Sequence, residues 1–301
     1  MMFKSSLRVV RMFDPWGSKL CTCPLKYNLN PYTGCSHGCI YCYARTYIKD
    51  FNRPRVKEKL LINIAADLSK IPANMLITMS NSSDPYTPPE GRLAVTREVL
   101  KKVLGRGHPL LIITKSDLVV RDIDILQEGR VVVSVTITTI DDSTAKLLEP
   151  NAPPPSKRLK ALKTLTEHGI VTTVRIDPII PYINDDEGML KELIRELADI
   201  GVAQITASTL KVRSDILSNV CRAFPEVASK LRTLYAKGEK LDNYTYLPRE
   251  LRLKYLTYVR NLSYERGIPF TTCRESLPIT TPGIACDGST FLYVSKKFKD
   301  M

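Results

Sequence analysis

The sequence predicts an α/β protein built on a parallel sheet, and three observations predict it. Between Lys26 and Leu210, strand-like and helix-like segments alternate six times. Parallel strands joined by right-handed crossovers require that order. The run Val131-Val-Val-Ser-Val-Thr-Ile137 is almost wholly β-branched, as suits a strand buried on both faces. Apolar residues at 44% and charged residues at 25% of 301 describe a globular chain with core enough for one large domain or two small ones. Alternation alone fits a closed or an open sheet.

Residues 1–26 read as a lead-in, with Phe13, Trp16 and Leu20 available to pack on the main domain. Tyr27 to Tyr32 is a short strand entering a cysteine-rich loop, and Ala44 to Lys49 starts a helix. Apolar residues at 60/61, 64/65 and 68 predict a helix over Leu60–Leu68. Met75–Met79 is the next strand, followed by a turn-rich loop and a helix near Leu93–Leu104 that Gly105 and Gly107 stop. Leu110–Thr114 is a strand and Leu118–Gln127 a helix. After the Val131–Ile137 strand, Pro150 to Pro155 forms a loop, and Ser156 caps a helix to about His168. Val171–Ile176, Glu187–Asp199 and Val202–Ala207 continue the alternation, with Gly201 at a helix C-terminus. The pattern then changes to helices at Ser214–Ala223, Pro225–Tyr235 and Pro248–Arg266. Three regions follow: a lead-in (1–26), a core (27–210) and a C-terminal extension packing on it (211–301).

The chemistry concentrates in Gly34-Cys35-Ser36-His37-Gly38-Cys39-Ile40-Tyr41-Cys42-Tyr43, where three cysteines stand at C-x3-C-x2-C. A closed zinc site takes four ligands and would need His37 or a distant residue. Thiolates also hold iron–sulfur cubanes, and three on a four-iron cube leave one iron open for chemistry.

That spacing, with an aromatic residue before the last cysteine, resembles the cluster loop of the radical S-adenosylmethionine (SAM) superfamily. The longer string Asn30 to Arg45 resembles the branch related to spore photoproduct lyase, and the likeness runs from about Cys21 to the C-terminus. The resemblance implies a partial (β/α)6 TIM-type barrel with a C-terminal helical extension. It implies a [4Fe-4S] cluster on Cys35, Cys39 and Cys42, and SAM as the second cofactor. It further implies reductive cleavage of SAM to a 5′-deoxyadenosyl radical, and a flavodoxin- or ferredoxin-type electron donor.

Ligands of parallel α/β folds gather where strands end. After the second strand come Ser83 and Asp84, which match a Ser-Asp stretch of that branch and suit an ammonium or ribose. An ordinary Asp-Pro turn is the plainer reading of Asp84-Pro85. Lys115 follows the third strand and can pair with the carboxylate of SAM. Ser134 lies within the fourth strand, sharing a face with Thr136 and Thr138. Arg175 and Asp177 point the same way at the end of the fifth, as a salt bridge or as substrate ligands. Tyr41 and Tyr43 match positions linked to radical relay in spore photoproduct lyase. The relay's cysteine partner appears as Asn81 here, which leaves the tyrosines to shield the cluster.

Cys21 and Cys23, with Cys273 and Cys286, make four more thiols at opposite chain ends. They are expected to form a second metal centre, an iron–sulfur cluster or zinc. Cys221 reads as a core residue. The net charge of +13 points to a polyanion such as DNA or RNA, or merely to a basic surface. No long apolar run or signal-like N-terminus is present, so a cytoplasmic protein without a membrane span is expected. The competing function class is a zinc or iron–sulfur protein that binds nucleic acid or carries electrons without catalysis. Nothing in the sequence fixes the oligomeric state.

Overall fold

The computed structural model describes residues 7–13, 18–79 and 81–293, so Trp16 and Ser80 lie outside the described residues. Strand β1 (Val10–Met12) pairs antiparallel with β2 (Tyr27–Leu29). A small ribbon of β3 (Tyr32–Thr33) and β4 (Arg55–Val56) brackets the cysteine loop. Helix α1 (Leu60–Leu68) leads to β5 (Ile77–Met79), and α2 (Glu90–Leu93) and α3 (Val95–Leu104) lead to β6 (Leu110–Thr114). Next come α4 (Ile123–Leu126), β7 (Val131–Thr136), α5 (Asp142–Leu148), α6 (Pro155–Glu167) and β8 (Val171–Ile179). Helix α7 (Glu187–Ile200) and β9 (Ile205–Thr209) complete the core. The extension holds α8 (Ser214–Ala223), α9 (Ala228–Ala236), a hairpin of β10 (Glu239–Leu241) and β11 (Tyr244–Tyr246), α10 (Arg249–Glu265) and β12 (Phe270–Thr272).

The main sheet runs β1-β2-β5-β6-β7-β8-β9-β12. Every neighbouring pair from β2 to β12 is parallel. The edges β1 and β12 do not meet, so the barrel is partial and TIM-type. All six expected core strands are present. The extension is more than helical, because β12 joins β9 as a seventh parallel strand. Its three residues are too few for a periodic signal, and the partner strand supplies the order.

The two faces of the sheet bury different things. Val133, Val135 and Ile137 face the outer helices and join Leu162, Leu193 and Val259 in the main core. Val132 points inward with Leu76 and Leu111, and Leu292 and Phe291 pack on them from the C-terminal segment. A turn of 3-10 helix at Ser289–Leu292 therefore plugs one end of the barrel. Gly288 precedes it at φ +89, and a Cβ there would come within 3.0 Å of Thr173.

Long-range polar pairs fasten the chain ends to this frame. The buried Asp67 carboxylate on α1 accepts backbone N–H groups from Arg8, Val9 and Val10, the closest at 2.7 Å. Lys26 forms a buried ion pair with Asp287. Glu275 accepts from Thr209 N–H at 2.8 Å and pairs with Lys211 and Arg252, both at 3.1 Å, which locks the extension onto β9. Removing a buried acceptor strands its donors, so Asp67→Ala is expected to cost about 1–3 kcal/mol. Urea denaturation should show a lower midpoint with an unchanged slope.

Candidate active site

All seven parallel strands empty into one chamber of about 660 Å³. That size suits a cofactor and a reacting group together. Asn28 comes from β2, Asn81 to Asp84 follow β5, Lys115 follows β6, and Thr136 ends β7. Arg175 and Asp177 come from β8, Thr209 to Lys211 from the end of β9, and Cys273 and Arg274 follow β12. Seven of the eight cysteines line it, namely Cys21, Cys23, Cys35, Cys39, Cys42, Cys273 and Cys286. Cys221 lies apart in a helical core, as expected.

The cysteine loop is held from both sides. Gly34 adopts φ +86, and a Cβ there would meet the Phe51 carbonyl oxygen at 2.5 Å, so only glycine fits. Cys35 N–H donates to that same carbonyl at 2.7 Å, and Ser36 N–H donates to Thr87 Oγ1 at 3.0 Å. On the other flank Ile40 N–H reaches Leu148 O at 2.9 Å, and Asn151 N–H reaches His37 O at 2.9 Å. Leu148 belongs to α5, a helix the sequence reading missed between the strand and the proline loop. Its available signal was the Asp141 cap, whose carboxylate accepts from Thr144 N–H at 2.7 Å.

Beneath the loop lies a fully buried ion pair, Glu149 with Arg158. Glu149 also accepts from the Tyr41 hydroxyl, and Arg158 donates to Thr136 O at 3.0 Å. Burial pushes the Glu149 carboxyl up, but Arg158 and Lys115 overcome it and hold the group below its ordinary 4.5. Neither residue carries a motif, which is why the sequence did not mark them.

The other expected residues divide by what engages them. Asp84 accepts from Thr114 Oγ1 at 2.7 Å, Lys115 N–H at 2.8 Å and Tyr86 N–H at 2.9 Å, and faces His37 Nδ1 at 3.5 Å. Its lone pairs are largely committed, so it positions β6 and the cysteine loop. Ser83 donates to Tyr32 O at 2.7 Å while lining the chamber. Ser82, the neighbouring hydroxyl of the same turn, also lines it. Lys115 places its ammonium 5.5 Å from the Tyr41 ring centroid, and no carboxylate lies within ion-pair distance of it among the described residues. Arg175 pairs with Asp177 at 2.7 Å, and Ser208 donates to the other Asp177 oxygen. Burial raises the Asp177 carboxyl, while Arg175 and Lys211 pull it below its ordinary value. Tyr43 donates to the Asn81 carbonyl. Ser134 is buried on the inner face but does not line the chamber. It sits one level below Thr136, which does.

The Radical SAM superfamily profile matches residues 29–197, more than half of the chain. The chain belongs to the radical SAM superfamily. An uncharacterized protein of Acidianus two-tailed virus is 34% identical over 204 residues, covering 62% of this chain and 67% of that protein. An uncharacterized protein of Mycobacterium tuberculosis is 28% identical over 276 residues, covering 85% of this chain and 81% of that protein. Among solved structures, a spore photoproduct lyase variant with bound AdoMet and dinucleoside spore photoproduct superposes with a TM-score of 0.66. It is 20% identical and covers 89% of this chain and 79% of that one, a likeness of fold.

Membership implies a [4Fe-4S] cluster and SAM, and the residues present fit them. Three cysteines share one glycine-bracketed loop on a chamber wall. Among the described residues no three His, Cys, Asp or Glu side chains converge on a single-ion site, and His37 faces Asp84. The loop thus offers three thiolates, with His37 turned to Asp84 rather than serving as a fourth ligand. Under the loop of this radical SAM enzyme, the Glu149–Arg158 pair is joined to it through the Tyr41 hydroxyl. Arg158→Met leaves a buried carboxylate unpaired and should cost about 3–5 kcal/mol, with Glu149→Gln/Arg158→Met recovering most of it. A depressed carboxyl stabilises above its ordinary pKa of 4.5 and loses that contribution as pH falls through the lower folded value. Unfolding curves across acid pH should accordingly fall less steeply for the double variant.

Proposed function

We propose that this enzyme cleaves SAM reductively and acts on a nucleotide of a nucleic acid strand laid across the chamber mouth. The chamber lining carries the reading. The cluster cysteines share it with Arg11 and Arg274 and with the aromatic rings of Tyr47 and Tyr244. Tyr244 is flanked by Arg213 at 5.6 Å and Arg274 at 5.2 Å. Basic side chains with interleaved aromatic rings suit a backbone phosphate and a stacked base. The net charge of +13 agrees. The matching lyase structure holds a dinucleoside photoproduct, a chemistry that lends support by fold alone.

When bound, the [4Fe-4S] cluster and SAM supply a 5′-deoxyadenosyl radical that removes a hydrogen atom from substrate. Cys35, Cys39 and Cys42 would hold the cluster. Lys115 would hold the SAM carboxylate, and the hydroxyl oxygens of Ser82 and Ser83 would be available to its amino group or ribose. Arg175 and Asp177, fixed to each other, present a rigid polar edge to the substrate. Tyr41 and Tyr43, each anchored by its own hydroxyl, would shield the cluster from water. A flavodoxin- or ferredoxin-type donor supplies the electron in the cytoplasm. No helix among the described residues is long and apolar enough to cross a membrane.

The deciding test for the SAM step is EPR of anaerobically reconstituted, reduced protein. A cubane signal that shifts on adding SAM is expected, and a signal indifferent to SAM would return the chain to electron transfer. Lys115→Met should keep its iron and weaken SAM binding about tenfold, the loss of one charged contact. The substrate class is tested by fluorescence anisotropy with a labelled single-stranded oligonucleotide. Tyr244→Ala should weaken binding about tenfold, the worth of one stacked base. Equal affinity of the two proteins would sink the nucleic-acid reading and leave the SAM chemistry standing.

A further inference from the structure

Four thiols remain that the radical chemistry does not use. Cys21 and Cys23 come from the lead-in, Cys273 follows β12, and Cys286 precedes the plug. They are separated by some of the longest stretches in the chain, yet all four line the same chamber. Cys23 Sγ and Cys286 Sγ are 3.5 Å apart. Cys21 is two residues from Cys23 on the same lead-in segment, and Cys273 lines the chamber with them.

The backbone around them is fixed. Cys273 N–H donates to Ala207 O at 3.2 Å, on β9. The Cys286 carbonyl accepts from Thr206 Oγ1 at 2.9 Å. The Lys26–Asp287 ion pair joins residues adjacent in space to Cys23 and Cys286, so the two chain ends are clamped at this point whether or not the thiols are engaged. Lys26 and Arg175 line the same chamber as the four thiols, each held by its own carboxylate partner.

From this juxtaposition we infer a structural Zn²⁺ site formed by Cys21, Cys23, Cys273 and Cys286. The choice of metal follows from spacing. Four sulfurs about 2.3 Å from one tetrahedral ion lie about 3.8 Å from each other. The Cys23–Cys286 separation is close to that edge and too short for two thiolates on separate irons of a cube. The four side chains do not yet converge on one point, so Cys21 and Cys273 close the site by turning toward the Cys23–Cys286 pair. Zinc has no redox states to intercept an electron or a radical formed in the same chamber. Its role is to staple the lead-in and the C-terminal segment into one wall. The inference does not rest on the proposed substrate or on SAM cleavage.

The experiment uses the full chain with Cys35, Cys39 and Cys42 all replaced by alanine, so that any metal retained reports on the second set alone. Elemental analysis of the purified protein should find about one zinc per chain. Cys23→Ser/Cys286→Ser in the same background should bring zinc to near zero. Cys221→Ser, outside the set, should leave it unchanged. Titration with Co²⁺ should give the visible absorption of tetrahedral thiolate in the triple variant and none when Cys23 and Cys286 are also replaced. Circular dichroism of each variant separates lost ligands from lost fold. Iron and sulfide in place of zinc would overturn the assignment in favour of a cluster. A folded triple variant that takes up neither zinc nor cobalt would overturn the site altogether.

Discussion

Everything in this molecule depends on parallel hydrogen bonding. Seven strands that run the same way must all present their carboxyl ends on one side. The chain therefore cannot spread its polar loops around the surface, and each crossover returns to add one more loop to the same rim. The chamber is the sum of those loops. The cysteine loop, the Asn81–Asp84 turn, Lys115, the Arg175–Asp177 pair, Lys211 and Cys273 meet because of strand direction, not because of any attraction between them.

Attraction then fixes them. The loop needs a floor that does not give way, and buried charge provides it at three points: Glu149 with Arg158, Asp84 with His37 and the end of β6, and Glu275 with Lys211 and Arg252. Pairs of this kind add little net stability over an apolar core, but they tolerate only one arrangement. That is a useful property beneath residues that must hold reactive groups apart from water. Several polar groups that the sequence offered as direct ligands prove to be occupied in this way. Asp84 and the hydroxyl donors of Tyr41, Tyr43 and Ser83 are spent on the scaffold, whereas the Lys115 ammonium has no carboxylate within ion-pair distance among the described residues.

The alternating core was legible because each strand and helix carried its own period. β7 is buried along its whole length, as its β-branched run indicated. Helix α7 starts at an Asp186 cap and ends at Gly201 with φ +84, both readable signals. What stayed hidden depended on partners distant in sequence. β12 is a strand only because β9 offers an edge, and β1 only because Asp67 and β2 receive it. The site was half legible. Cysteine spacing and strand-end residues announced themselves, whereas Lys26, Lys211, Tyr244 and Arg274 reach the chamber through tertiary placement that no local pattern encodes. Ser134 had the right face but the wrong depth, because a period of two gives direction and not height.

The ion pair of Lys26 with Asp287 joins residues 261 positions apart. The cysteine loop leaves the ribosome well before the residues that plug the barrel. During synthesis the loop therefore waits beside an unfinished wall, open to whatever delivers metal and sulfide. Contacts of such long range also close late in refolding. Assembly order is thus written into the topology: cofactor loading has its widest access before Asp287 and the Ser289–Leu292 plug dock, and the wall closes behind it.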